Sequence, residues 1–160
     1  MAISPVRPTD EEARKLAKDL LTCAGHAALG VIHPDRQTPF VSRIALGTAP
    51  DKQPMTLVST LALHTRALQA IPACSLLIGE PPPKGDPLAF ARLTLMVRAQ
   101  FIDNSSSSHQ NLRDHYLATH PKARLYVDFT DFSFVVFEVE SGALNGGFGK
   151  ACDLTPNDLK

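Results

Sequence analysis

The sequence predicts a mainly β fold, an antiparallel barrel with helices at its mouths. The predicted elements follow the order helix, three strands, short helix, two strands, helix, strand, which does not alternate strictly enough for a doubly wound parallel sheet. Leu93, Leu95 and Val97 alternate with Thr94, Met96 and Arg98, the two-residue period of a long half-buried strand. In the last predicted strand, 131–139, Phe132, Phe134 and Val136 share one face and Val135, Phe137 and Val139 the other. Both faces of that strand therefore need cover, one from the core and one from a helix or a second subunit.

Each element follows from local chemistry. Thr9-Asp10-Glu11-Glu12 has the form of a capping box, with Thr9 as N-cap. Ala13, Leu16, Ala17, Leu20 and Leu21 then make one apolar stripe, and Gly25 is placed to stop the helix. Short runs bounded by turn residues follow at 27–33, 40–49 and 55–60, and each reads as a strand. Residues 64–71 suit one or two helical turns closed by Pro72, and 73–79 is a buried-strand run. After the break at 81–87 comes the strand at 91–102. Ser108 can cap a helix that carries Leu112, Tyr116 and Leu117 and ends near His120-Pro121.

At 160 residues the chain has the length of one domain, expected over 1–160 with an N-terminal helix in 1–25, a barrel over 27–151 and a tail over 152–160. Sixteen basic and sixteen acidic residues cancel, so no global field draws the molecule to nucleic acid or anionic lipid. No apolar run reaches the ~20 residues of a membrane helix, and the start turns acidic where a signal peptide would be apolar. A cytoplasmic protein without membrane or nucleic-acid partners is expected. Cys23, Cys74 and Cys152 form no CxxC pair and are expected to be free thiols.

Most residues that could carry chemistry have a plainer role. His109, His115 and His120 lie six and five residues apart, spacings that do not align two ligands on one helix face, so no metal site is expected. Gly146-Gly147-Phe148-Gly149 lacks the spacing and setting of a phosphate loop and reads as a turn after the final strand. No Gly-x-Ser-x-Gly elbow is present. The arginines stand out more. Arg43, Arg66 and Arg92 each sit among apolar or small residues, Arg66 at the opening of a short helix. A partly buried guanidinium needs an anion, supplied either by a phosphate-bearing ligand or by a carboxylate of the chain itself.

At these residues the chain resembles the split-barrel FMN-binding proteins related to pyridoxamine 5'-phosphate oxidase, in their branch similar to haem-utilisation proteins of the HugZ type. The resemblance rests on 40–46, on Ser59-Thr60-Leu61-Ala62-Leu63-His64-Thr65-Arg66, on Gly85-Asp86-Pro87-Leu88 with 91–95, and on His120-Pro121-Lys122-Ala123 continuing to Gly149. It implies an antiparallel, Greek-key-like split barrel. It further implies FMN as cofactor, with Arg43 and Arg66 on the phosphate, Ser59 and Thr60 facing the flavin ring, and Thr65 beside them. Arg92 would reach the cofactor from the long strand, and the site would be shared across a homodimer.

The resemblance thus implies an oxidoreductase acting on an unidentified small molecule. The Arg- and His-containing motif with which true pyridoxamine phosphate oxidases grip their substrate has no counterpart after Gly149, so that activity is not expected. The alternative is a non-enzymatic protein that stores or senses haem or flavin in the same pocket.

Overall fold

The computed structural model describes residues 6–160, and the part of the 1–25 segment before Val6 lies outside the described residues. Nine strands form one continuous sheet: β1 (Val6–Arg7), β2 (His26–Ile32), β3 (Pro39–Ala45), β4 (Gly47–Thr48), β5 (Pro54–Ser59), β6 (Ala73–Ile78), β7 (Arg92–Phe101), β8 (Phe132–Asn145) and β9 (Ala151–Leu154). The main path runs β1-β9-β8-β7-β6-β2-β3, with β5 branching from β8 and β4 pairing with β5. Every pairing is antiparallel except β1 with β9. Three α-helices accompany the sheet: α1 (Glu11–Cys23), α2 (Leu63–Ala70) and α3 (Ser107–Thr119). The sheet curls without closing, as expected of a split barrel.

Alternation along the strands sorts the side chains. Leu29, Leu76, Leu93, Leu95, Val135 and Phe137 point inward and are fully buried, together with Ala17 and Leu21 of α1 and Ala67 and Leu68 of α2. Burying a side chain of this size contributes about 1.5–3 kcal/mol, so this inward face drives the fold. The other face of β8 meets a second cluster. Phe134 and Val136 pack with Leu112, Tyr116 and Leu117 of α3, and the Phe134 and Tyr116 rings meet edge to face at 5.5 Å. A helix of the same chain therefore covers the second apolar face of β8, and that strand gives no reason for a dimer.

Several boundaries differ from the sequence reading. Asp10, not Thr9, caps α1: its carboxylate accepts from the Ala13 amide at 2.8 Å, while the Thr9 hydroxyl donates to the Asp153 carbonyl. The helix ends on Ala24 in an extended conformation, one residue before Gly25. β8 continues past Val139 to Asn145 because a bulge at Glu140 switches its inward residues from Val135, Phe137 and Val139 to Gly142 and Leu144. Residues 152–160 are no tail. Most of β9 and a closing 3-10 turn at Pro156–Leu159 fall in that segment, and this turn carries a capping box of Thr155 and Asp158. Gly146–Gly149 accordingly joins two paired strands instead of following the last one.

The outward face of the main sheet is left to solvent. Across β3, β2, β6, β7 and β8 it carries Arg43, Ala28, Leu77, Thr94 and Ala143 in one row and Val41, Gly30, Ser75, Met96 and Ser141 in the next. Val41 is 66% and Leu77 46% exposed. No described helix is long and apolar enough to cross a membrane.

Candidate functional site

The six residues singled out from the sequence fall into two places. Ser59, Thr60, Thr65 and Arg66 gather at the turn from β5 into α2. Arg43 lies on the outward sheet face, and Arg92 begins β7 at the end of the sheet nearest Gly79.

The β5–α2 turn is knitted by its own hydrogen bonds. The Ser59 hydroxyl donates to the Asp131 carboxylate at 2.7 Å and accepts from the Leu61 amide. The buried Thr65 hydroxyl donates to the Ser59 carbonyl at 2.6 Å, and the Thr60 amide donates to the Asp131 carbonyl. Ser42 of β3 and His64 of α2 share a hydrogen bond of 3.0 Å, and burial lowers the pKa of His64. What is left over is the exposed Thr60 hydroxyl and the exposed Arg66 guanidinium, neither of which has a partner among the described residues. Of the three hydroxyls expected at the cofactor site, those of Ser59 and Thr65 thus donate their protons within the chain, and Asp131 places a carboxylate beside Ser59.

The second place is a groove of about 550 Å³ between α1, the outward sheet face and the 79–91 loop. Leu16 and Leu20 of α1 form one wall, Ala28 and Leu77 the floor, and Gly79, Pro81 and Ala91 the roof. The roof is held close. A Cβ on Gly79, at φ 112°, would stand 2.6 Å from the Ala91 carbonyl oxygen, so only glycine fits. The Arg92 guanidinium donates to the carbonyls of Leu88 and Phe90 at 3.1 and 3.3 Å and so anchors this loop.

The charged and imidazole side chains lining the groove are Arg43, the pair His26 and Glu80, and Asp19 of α1, which Lys15 engages. Arg43 has no partner among the described residues. His26 pairs through Nε2 with Glu80 at 3.1 Å. These two residues lie far apart in sequence and meet because β2 and β6 are antiparallel neighbours, with Ala28 opposite Leu77. The sequence reading missed both, and only a knowledge of that pairing could have found them. The thiols offer little: burial pushes Cys74 up to about 12, and Cys152 is also raised by burial.

An open, curled antiparallel sheet with helices packed at its edges defines the split-barrel class. More particularly, the chain belongs to the CREG β-barrel family, whose model matches residues 8–159. It is similar to the non-canonical heme oxygenase HOZ, chloroplastic, of Arabidopsis thaliana, at 34% identity over 139 residues. The match covers 83% of this chain and 41% of the plant protein, so the chain spans less than half the length of that relative. A heme-binding protein from Mycobacterium smegmatis superposes with a TM-score of 0.82 at 27% identity, covering 96% of this chain and 61% of that one. A pyridoxinephosphate oxidase family protein from Clostridium acetobutylicum shares the fold at a TM-score of 0.69 and 16% identity, covering 95% of this chain and 100% of that one. The resemblance read from the sequence therefore holds at the level of fold and family.

Proposed function

We propose that this chain is a haem-binding split barrel, working as a homodimer, that seats the tetrapyrrole in the groove beside α1. The observation that carries the reading is the groove's combination of apolar walls, a free guanidinium and an imidazole held by a carboxylate. A volume of about 550 Å³ lies within the roughly 300–1,000 Å³ of small-molecule sites. Leu16, Leu20 and Leu77 suit an apolar ring, and Arg43 suits a propionate. Glu80 on one nitrogen of His26 gives the carboxylate–histidine arrangement by which metal-binding imidazoles are oriented and their tautomer fixed. The haem named in the plant and mycobacterial relatives supports the same ligand. Bound haem would supply a redox-active iron; the chain's own residues would bind, orient and partly shield it.

The homodimer draws support from the outward sheet face, where small and apolar residues stand in solvent beside the groove. A second copy on that face would extend the site with its own residues. Sedimentation showing only a stable monomer at micromolar concentration would contradict it.

One observation favours a second reading, an FMN-dependent oxidoreductase: Thr60 and Arg66 remain unengaged beside the first turn of α2, where amide groups lack helical acceptors. Against it stand the spent hydroxyls of Ser59 and Thr65 and the carboxylate of Asp131, which would repel a phosphate dianion. Titrating the full chain with haemin and, separately, with FMN decides between them. A saturable Soret band with no flavin uptake is expected; flavin uptake without a Soret band would reverse the assignment.

A further inference from the structure

A different cavity, of about 360 Å³, opens where the tip of the β4–β5 hairpin meets α1 and α3. Leu21, Ala49 and Leu159, all buried, contribute its apolar part. Its polar lining is Lys18 and Thr22 from α1, Thr48 from β4, Lys52 from the hairpin and His115 from α3. None of these five side chains forms an ion pair or hydrogen bond among the described residues. No carboxylate lines the cavity. The nearby Asp51 and Glu138 border a neighbouring cavity that Lys52 also touches, and each already accepts from a glutamine, Gln53 and Gln100 respectively. Four elements thus converge on a pocket with two ammonium groups, two free hydroxyls and an imidazole, and with no internal counter-charge.

The hairpin adds an independent observation. Lys52 has φ 70°, in the left-handed region where glycine or asparagine is the ordinary occupant and a lysine is strained. Its amide donates to the Ala49 carbonyl, and the Ala49 amide donates to Gln53, so the turn itself needs the conformation and not the lysine. Strain kept at a position where a cheaper residue would serve points to use of the side chain. The cavity is also separate from the groove, since Leu16, Leu20 and Cys23 of α1 line the groove while Lys18, Leu21 and Thr22 line this pocket.

We propose that this pocket is an anion site for a small phosphate group, either free or carried as a monoester. Lys18 and Lys52 supply the charge, the hydroxyls of Thr22 and Thr48 donate hydrogen bonds, and His115 adds a donor from the third side. Charge-assisted bonds of this kind are roughly twice as strong as neutral ones, so loss of either lysine should weaken binding about ten-fold.

The test measures thermal unfolding and titration calorimetry of the full chain with inorganic phosphate and with glycerol phosphate, against chloride at equal ionic strength. Wild type should melt higher in phosphate than in chloride. Lys52→Gly should melt no lower than wild type in chloride, because glycine accepts the turn, yet lose most of the rise given by phosphate. Lys18→Gln should lose the same rise without altering the turn. A response to inorganic phosphate alone identifies the free ion as occupant, and an equal response to glycerol phosphate identifies the ester. No rise in wild type, or the same rise in all three proteins, would overturn the site.

Discussion

The two regions that gather polar side chains spend them to different degrees. At the β5–α2 turn, Ser59, Thr65, Ser42 and His64 satisfy one another or their neighbours. In the groove beside α1, Arg43 stands alone and His26 is held by a carboxylate from the next strand. Internal hydrogen bonds exchange water for protein and fix a local shape, whereas an unpaired cation beside apolar walls keeps its capacity for an outside partner. Polar residue types near one another in sequence are therefore weak guides to a site. What distinguishes a ligand contact is whether the fold leaves the group unspent.

This contrast can be broken by substitutions at each end. The largest effect is expected from Leu77→Trp, which fills the floor of the groove from a half-exposed position and leaves the core untouched. Haemin affinity should fall by more than about a hundred-fold, read by titration in the Soret region, with little change in the unfolding temperature of the apo-protein. Arg43→Ala removes a charged hydrogen bond and should weaken haemin about ten-fold, while the dimethyl ester of the porphyrin, which has no free propionate, is affected far less.

At the other end Thr65→Val should do the reverse. Its hydroxyl bond to the Ser59 carbonyl is lost, but the Ala62 amide still donates to that carbonyl, so denaturant unfolding should show a loss of about 1 kcal/mol with haemin affinity unchanged. If Thr65→Val weakened haemin and Arg43→Ala did not, the roles of the two ends would be exchanged.

The smallest effect concerns neither end and serves as a baseline. The Thr155 hydroxyl, then its amide, and the Arg14 guanidinium hold the Asp158 carboxyl down to about 2, from an ordinary 3.8. A carboxyl with a depressed folded pKa stabilises the fold above its unfolded value, and that contribution is lost as pH falls between about 4 and 2. Asp158→Asn should therefore be the less stable protein at pH 7, and the difference should close near pH 2 in acid unfolding followed by circular dichroism.

Much of the fold was legible because it rests on short-range chemistry. The two-residue period of 93–97, the stripe from Ala13 to Leu21 and the turn residues around 81–87 each fix an element locally. β8 was cut short because its bulge shifts the alternation by one residue, and Glu138-Val139-Glu140-Ser141 then looks like an exit from the sheet. β9 is only four residues long and depends on β8 and β1 for its pairing, which no local pattern reveals. The candidate site was less legible still. Arg43 was visible as a cation among apolar neighbours, but its companions His26 and Glu80 come from strands whose adjacency is a property of the whole sheet. Arg92 looked equivalent to Arg43 in sequence and anchors a loop instead.

The proposed role of His26, oriented by Glu80, is to face haem in the groove. Its most direct test is the absorption spectrum of the haemin complex of the full chain, compared between wild type and His26→Ala. Coordination by His26 predicts a Soret band in wild type whose position and spin-state bands change in His26→Ala, toward those of haemin lacking that imidazole. An identical spectrum and identical affinity in the two proteins would contradict the assignment.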